Sequence, residues 1–173
     1  ENSVHDGAAD NNVFGATNDV TGDSNDVYGS ANDVSGNGNG GIYGAANNVS
    51  GNDNGVFGDS NDVESNNNGI YGNLNTLAAG SDSNNVFGSS NTVVENSTLN
   101  TVVGNGNSLH DAELTNTVGT ANNMSGDSGI AIGNGNTVCG NGNIAIGNDL
   151  TACSDDGGAG GNVVLGGADT AML

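Results

Sequence analysis

An apolar residue recurs about every seven positions along the chain, and small or polar residues fill most of the places between. We call this residue position three of a seven-residue unit, and the series is Val4, Val13, Val20, Val27, Val34, Ile42, Val49, Val56, Val63, Ile70, Leu77, Val86, Val93, Val102, Leu109, Val118, Met124 and Val138. This spacing is too sparse for the buried face of a helix, which needs an apolar residue every three or four positions. It is typical of a short strand whose central side chain points inward and whose ends turn.

Asn usually precedes this apolar residue by two positions, and Gly usually follows it by two. The run Asn18-Asp-Val-Thr-Gly, followed by Asn25-Asp-Val-Tyr-Gly, shows the unit. Because strand side chains alternate, positions one and five share the inward side with position three. We therefore expect a stacked ladder of Asn amides inside the rod, with turns at the glycines. The repeat slips, and we expect bulging loops, near Gly41, Gly80, Ser97 and Ala112 and over Ser154–Gly161.

The next residue, at position four, alternates in character between successive units. One series is aromatic and then aliphatic: Phe14, Tyr28, Tyr43, Phe57, Tyr71, Phe87, Val103, Gly119, Ile132, Ile146 and Leu165. The other is small or polar: His5, Thr21, Ser35, Ser50, Glu64, Ala78, Val94, His110, Ser125, Cys139, Cys153 and Met172. Two units therefore make one coil of about fourteen residues. The predicted fold is all-β, a single parallel β-solenoid (β-roll) of about eleven or twelve coils over residues 1–173.

Two segments resemble a known family. Ser128-Gly-Ile-Ala-Ile-Gly-Asn-Gly-Asn-Thr-Val and Gly142-Asn-Ile-Ala-Ile-Gly-Asn-Asp are similar to the fourteen-residue head repeats of trimeric autotransporter adhesins, the YadA-like left-handed β-roll. The resemblance implies a β-roll at a cell surface and, if it extends to assembly, a trimeric adhesin head. Because these 173 residues include no coiled-coil stalk, membrane anchor or basic residue, it supports the roll and the surface setting more than the trimer.

Charge restricts the partners and the chemistry. The chain has no Lys or Arg, 20 acidic residues and a formal net charge of -20. Nothing in it neutralises phosphates, so we expect no nucleic-acid binding, and an anionic membrane surface would repel it. We find no apolar run that would insert in a membrane and no cleavable signal sequence, as expected of a processed extracellular chain. His5 and His110 belong to distant coils, so the sequence offers no catalytic constellation and we expect no enzyme.

The aromatic series predicts an assembly face. In this register position four points outward, and six rings form a stripe that another copy would cover: Phe14, Tyr28, Tyr43, Phe57, Tyr71 and Phe87. The alternative is a differently flattened coil in which the rings belong to the core. Ile130 and Ile132, on either side of Ala131, favour this alternative locally. An exposed stripe that binds a flat carbohydrate or crystal surface is a further hypothesis.

The opposite face carries Asp19, Asp33 and Asp62 at position two. Carboxylates stacked one coil apart repel each other unless cations lie between them, and calcium suits oxygen ligands. A weak calcium site is one interpretation, and a solvated acidic face is the other. No cofactor is required in either case.

Several residues are candidates for modification. Asn48, Asn96 and Asn123 begin N-glycosylation sequons, and Thr21, Ser35 and Ser50 form a hydroxyl row able to carry O-glycans. Cys139 and Cys153 stand fourteen residues apart on one face, which brings their α-carbons to about 5 Å in adjacent coils and within reach of a disulfide. An oxidising compartment favours that bond.

The repeat starts at Asn2 and is still in phase at Asp169, with no cap sequence at either place. We therefore expect copies to stack head to tail into an extracellular or cell-surface filament, with the chain itself as main partner and glycans as further ones. The alternatives are an adhesin head that binds surface ligands and an ice-binding protein. The irregular polar face disfavours ice binding, which needs a regular row of Thr or similar residues.

Overall fold

Alternate strands of the chain build two parallel sheets of eleven strands each. The computed structural model describes residues 1–5, 7–154 and 161–167, which form strands and turns but no helix. Odd-numbered strands form sheet A and even-numbered strands form sheet B, both in chain order. Each coil thus gives one strand to each sheet, and the predicted all-β parallel solenoid with a repeat of about fourteen residues is confirmed. The expected continuation of the repeat at Asp169 and Met172 lies outside the described residues.

The strands are short, as one inward side chain per unit predicts. Sheet A comprises β1 (Ser3–Val4), β3 (Asp19–Val20), β5 (Asp33–Val34), β7 (Asn48–Val49), β9 (Asp62–Val63), β11 (Thr76–Leu77), β13 (Thr92–Val94), β15 (Ser108–His110), β17 (Asn123–Ser125), β19 (Thr137–Cys139) and β21 (Thr151–Cys153). Sheet B comprises β2 (Asn12–Ala16), β4 (Asp26–Ser30), β6 (Gly41–Ala45), β8 (Gly55–Phe57), β10 (Gly69–Tyr71), β12 (Asn85–Phe87), β14 (Thr101–Asn105), β16 (Asn116–Thr120), β18 (Ile130–Asn134), β20 (Ile144–Asn148) and β22 (Val163–Gly166).

The core is a double row of side chains, one from each strand at position three, and most of them are fully buried. The two sheets compensate for each other in volume. Where sheet B narrows to Thr117 and Ala131, sheet A contributes the larger Met124. Gly129 leaves room for it, because a Cβ at that position would lie 2.9 Å from the Met124 sulfur. The thin core therefore stays filled although its side chains change size.

Buried Asn residues form the predicted ladder where the chain passes from sheet B to sheet A. Its members are Asn18, Asn32, Asn47, Asn61, Asn75, Asn91, Asn107, Asn122 and Asn136, and buried Leu150 takes the next place. The Nδ2 of Asn61 donates to Oδ1 of Asn47 at 2.9 Å and to the carbonyl oxygen of Gly72 at 2.8 Å. Its Oδ1 accepts the backbone N–H of Asn75 at 3.0 Å and the Nδ2 of Asn75 at 3.1 Å. Each buried amide is thus satisfied by the coils before and after it.

A second ladder follows the opposite inner edge of the rod and is less regular. It runs through Asn25, Asn39, Asn54, Asn68, Asn84 and Asn100. The next place is taken by Thr115, whose hydroxyl donates to Oδ1 of Asn100 at 2.8 Å. Gly129 then interrupts the series before Asn143 resumes it. Substitution is therefore tolerated on this side of the rod.

We call the passage from sheet B to sheet A the strict corner. The inward residues on its two sides are seven apart in each described coil, as in Val56 and Val63. Position five is always Gly here, and backbones of neighbouring coils approach closely. A Cβ at Gly72, where φ is +142°, would lie 1.8 Å from the carbonyl oxygen of Gly88. No residue with a side chain fits that space.

We call the passage from sheet A to sheet B the variable corner. Its inward residues are seven apart in the shortest coils, but Val34 and Ile42 are eight apart, and Val93 and Val102 are nine apart. The slips predicted near Gly41, Gly80, Ser97 and Ala112 all fall in this corner. The larger slip predicted over Ser154–Gly161 lies mostly outside the described residues.

Two details of the predicted register are wrong. The repeat predicts Val118 inward at position three, but Thr117 is the buried residue and Val118 is exposed. Gly119 explains the shift, because its φ of +129° and its contact with the carbonyl of Gly133 require it at position five of the strict corner. Val118 is thereby forced to position four.

The alternative in which Ile130 and Ile132 belong to the core is also wrong. Ala131 is buried, Ile132 is 39% exposed and Ile130 is half-buried. Gly133 occupies the strict corner as Gly119 does, which turns the small Ala131 inward.

Position seven, just before the ladder Asn, adopts a left-handed backbone in many units. Ala46, Ser60 and Leu74 have φ values of 57°, 58° and 60°. Residue types at position seven vary widely, so the sequence does not indicate that the backbone there is left-handed. Residues other than Gly, Asn and Asp are strained in this region.

Candidate functional site

An apolar stripe follows the outer face of sheet B along the whole described rod. It consists of Phe14, Tyr28, Tyr43, Phe57, Tyr71, Phe87, Val103, Val118, Ile132, Ile146 and Leu165. Phe57 is 37% exposed and Leu165 is 61% exposed, and Tyr28 is half-buried. The rings therefore point outward, as position four predicts, and the core is built without them. Beyond the six aromatic residues the stripe consists of aliphatic side chains, from Val103 to Leu165, which we call its aliphatic half.

The six rings stack face to face along the rod. Ring centroids of successive coils are 4.7–5.2 Å apart, and the ring planes differ by 2–7°. Both faces of Tyr28, Tyr43, Phe57 and Tyr71 are covered by neighbouring rings, so these residues offer only ring edges to solvent. A sugar that stacks on an aromatic face finds no free face on these four rings. This geometry argues against the carbohydrate hypothesis for the middle of the stripe.

The aromatic rings also lean across glycines of their own strands. An ideal Cβ at Gly41 would lie 2.9 Å from Cε2 of Tyr43, and one at Gly55 would lie 3.7 Å from Cε2 of Phe57. The rings thus lie close to the backbone of the sheet instead of standing away from it.

Charge is distributed unequally between the two outer faces. Asp26 is the only ionisable acidic side chain in the described strands of sheet B, and its Oδ1 accepts a hydrogen bond from Nδ2 of Asn12 at 2.7 Å. Sheet A carries Asp19, Asp33 and Asp62 in a single row. One face is thus nearly neutral and apolar, and the other is polar and acidic.

The three predicted calcium ligands do not converge on one point. Oδ1 of Asp19 lies 2.5 Å from Nε2 of His5, and Oδ1 of Asp62 accepts from Nδ2 of Asn48 at 2.9 Å. Asn48 separates Asp33 from Asp62 in the row. Polar neighbours thus engage two of the carboxylates, and a calcium site there stays a prediction.

A different cluster of metal-ligand types was missed by sequence reasoning. Glu95, His110 and Asp111 lie at the variable corner, and their candidate ligand atoms fall within 4.8 Å of one another. In the described residues this is the only such group of three. Nε2 of His110 lies 2.6 Å from Oε2 of Glu95, and the three side chains are half or more exposed. Insertions hide the contact, because they break the seven-residue spacing between the coils involved.

An outer ladder of Asn and Asp side chains was missed as well. Oδ1 of Asn37 accepts the backbone N–H of Asp23 at 2.7 Å, and Oδ1 of Asn52 accepts that of Asn37 at 2.8 Å. The series continues through Asn66 and Asp82. The recurrence of Asn or Asp at position six was the available signal. These side chains connect successive coils on the outside of the variable corner.

The predicted acceptors for glycans lie on the surface. Asn48, Asn96 and Asn123 are exposed, as are Ser35 and Ser50, whereas Thr21 is half-buried. Asn48 and Asn123 lie on sheet A, and Asn96 lies at the variable corner. The apolar stripe therefore carries none of the predicted glycan sites.

Cys139 and Cys153 form a disulfide between neighbouring strands of sheet A. Their α-carbons are 4.5 Å apart, close to the spacing expected for adjacent coils. The bond connects two coils just before the longest departure from the repeat, where Val164 follows Ala152 as the next inward residue.

The chain has no match among protein-family models, curated proteins or solved structures. The likeness to trimeric autotransporter heads thus stays a prediction from the two segments that carry it. Within the described ranges there is no helix long and apolar enough to cross a membrane.

Proposed function

We propose that the chain is a structural subunit of an extracellular or cell-surface filament in which copies stack as coils do within one chain. The observation that carries the proposal is the uniform contact between coils at the strict corner. Asn32, Asn61 and Asn122 each donate to the Asn one coil earlier and to a Gly carbonyl one coil later. Because one interface serves successive coils, a second copy is able to continue it.

The ladder has a direction, and this defines the mode of assembly. Oδ1 of Asn47 accepts both N–H groups of Asn61, and Oδ1 of Asn61 accepts those of Asn75. Amide acceptors from Asn18 to Asn136 therefore face the coil that follows, while Leu150 takes the next place and continues the contact with its backbone N–H alone. Copies continue this pattern only when they point the same way, which gives an open, head-to-tail assembly.

An extracellular setting agrees with the chemistry of the surface. The disulfide between Cys139 and Cys153 persists in oxidising compartments. The net charge of -20 keeps the polar faces solvated and separate. Exposed sequons at Asn48, Asn96 and Asn123 offer attachment points for glycans where the cell supplies the enzymes.

Electron microscopy of the purified chain tests the proposal. We expect unbranched filaments with an axial repeat of about 4.8 Å between coils. Short rods of constant length at all protein and salt concentrations would overturn it. Val4→Pro removes a backbone N–H that points away from the second coil, because Ser3 and His5 donate to that coil and the strand alternates. This variant should shorten the filaments, whereas Val4→Thr, which keeps the N–H and the branched shape, should not.

A second candidate is an adhesin head, which the exposed apolar stripe favours. It predicts a trimer in solution and saturable binding to a surface ligand. Sedimentation equilibrium separates the two candidates, because a closed trimer has one mass and a filament does not.

A further inference from the structure

We propose that two copies of the chain pair side by side through the outer faces of their B sheets, with stripe packed on stripe. This lateral contact is distinct from the stacking of coils at the ends and does not depend on it. Its basis is the apolar stripe, which continues across all eleven strands of sheet B. A patch of this extent is unusual on a solitary soluble chain.

The charge distribution identifies the occupant. A chain with a net charge of -20 and no Lys or Arg repels its own copies over most of its surface. Sheet B is the exception, since Asp26 is the only charged residue in its described strands. A cationic partner is attracted to the carboxylates of sheet A and the corners rather than to the stripe. A second copy offers an apolar, nearly neutral face that matches the stripe.

The stripe is large enough for a stable contact. Eleven strands at a spacing of about 4.8 Å give a length of about 53 Å. The strands of sheet B are three to five residues long, which gives a width of about 10–16 Å. Pairing thus buries about 500–850 Å² on each copy, or about 1,000–1,700 Å² in total. A specific protein interface needs about 1,000 Å² or more.

The shape of the face suits another sheet. Tyr43 and Phe57 lean across Gly41 and Gly55, so these rings lie close to the backbone of the sheet. In the aliphatic half, Ile130 and Ile144 flank the stripe at position two and extend the apolar surface sideways. Two such faces pack about 10 Å apart, as the sheets of a β-sandwich do. The faces of the inner rings are covered by the neighbouring rings of the same stripe. The second copy therefore contacts ring edges and aliphatic side chains.

Two matched variants test the pairing. Val118 lies on the stripe and Val94 occupies the equivalent position of sheet A, so Val118→Asp and Val94→Asp introduce the same charge on opposite faces. Both variants are made in the Val4→Pro chain, and sedimentation velocity gives the dissociation constant of the pair. We expect Val118→Asp to raise that constant at least about 100-fold and Val94→Asp to change it less than about threefold. Added salt should strengthen the pair, since it screens the acidic faces. Far-UV circular dichroism checks that each variant keeps its sheets, and Val118→Thr gives a milder substitution with the same expected direction.

Mass per unit length in electron micrographs separates this inference from the filament proposal. Filaments two rods wide support both. Filaments one rod wide overturn the lateral pairing and leave coil stacking intact. Isolated pairs with twice the 16.8 kDa chain mass support the pairing and overturn the filament. A monomer at all concentrations overturns both proposals. Equal weakening of the pair by Val118→Asp and Val94→Asp overturns the lateral pairing alone.

Discussion

The strict and the variable corner perform the same task with different tolerance. Both reverse the chain between the two sheets, and both carry an inner ladder at position one. The strict corner keeps seven residues and a Gly in every described coil, and its ladder Asn is replaced once, by Leu150. The variable corner accepts between one and five additional residues and replaces ladder Asn by Thr115 and Gly129. The strict corner therefore holds successive coils in register, and the variable corner is free to carry surface chemistry.

The location of one side-chain cluster follows from this difference, since Glu95, His110 and Asp111 meet where sheet A passes into the variable corner. The outer Asn and Asp hydrogen bonds occur at both corners, because Oδ1 of Asp59 accepts the backbone N–H of Ala45 at 2.7 Å in the strict corner. Insertions in the variable corner change only exposed turns, because the strands on either side keep their partners in the sheets. Loops that tolerate change over a rigid scaffold are the common location of function in proteins.

The largest expected effect comes from a matched pair of insertions. A glycine inserted between Asn54 and Gly55 reproduces the natural Asn39-Gly40-Gly41 sequence of the variable corner. The same insertion between Asn61 and Asp62 falls in the strict corner. No described coil carries an extra residue at this corner, and the inserted glycine pushes apart coils whose backbones already touch at Gly58 and Gly72, which leaves buried polar groups of two coils unsatisfied. We expect a loss of about 4 kcal/mol or more for the second insertion and less than about 1 kcal/mol for the first.

Urea denaturation followed by far-UV circular dichroism measures both insertions. Because long repeat arrays deviate from two-state unfolding, the midpoints are compared directly with that of the parent chain. Equal loss at both corners would show that the distinction between them has no energetic basis.

The next effect concerns the close approach of backbones at the strict corner. Gly72→Ala places a Cβ 1.8 Å from the carbonyl oxygen of Gly88 and forces φ out of the region that alanine prefers. The neighbouring coils must separate, and we expect a loss of about 3–5 kcal/mol. Gly40→Ala is the control for loss of a glycine at an open position, since its nearest contact would be 3.9 Å away. The matched position of the variable corner, Gly51, is as close as Gly72, because a Cβ there would lie 1.8 Å from the carbonyl oxygen of Ser65. The effect of Gly40→Ala should stay within about 0.5 kcal/mol in the same denaturation experiment. A tolerated Gly72→Ala would contradict the idea that the strict corner sets the pitch.

These two corners also show what the sequence predicts well and where it fails. Periodicity predicts the coil, the inward apolar row, the Asn ladders and the outward rings, because each follows from strand alternation at a fixed spacing. It misplaces Val118, because hydrophobicity favours Val over Thr117 in the core. The backbone requirement of Gly119 at the strict corner decides the register instead. Contacts across insertions, such as Glu95 with His110, escape a spacing rule by their nature.

Removal of a ladder amide gives an intermediate effect. Asn61→Ala leaves the two N–H groups of Asn75 and the carbonyl of Gly72 without their buried partner. We expect a loss of about 2–3 kcal/mol, since each buried unsatisfied group costs about 1–3 kcal/mol and water reaches part of the gap. Thr115→Val at the variable corner removes one hydroxyl hydrogen bond and keeps the side-chain shape, so its loss should be about 1 kcal/mol. Hydrogen exchange of the Asn75 amide provides a local readout, and unchanged protection in Asn61→Ala would contradict the ladder's role.

The smallest effect concerns a feature that both corners share. Leu74 in the strict corner and Leu114 in the variable corner have left-handed backbones, with φ values of 60° and 57°, and their side chains are 61% and 55% exposed. Because both leucine side chains are largely exposed, their replacement removes little buried apolar surface from the folded chain. Asn also tolerates the left-handed backbone region better than Leu does. We expect Leu74→Asn and Leu114→Asn each to stabilise the chain by about 0.5–1 kcal/mol, measured as a higher urea midpoint. Equal gains at both corners would show that the left-handed residue belongs to the repeat itself. A gain at Leu114 alone would instead mean that the strict corner also constrains the side chain at position seven, which the structure gives no reason to expect.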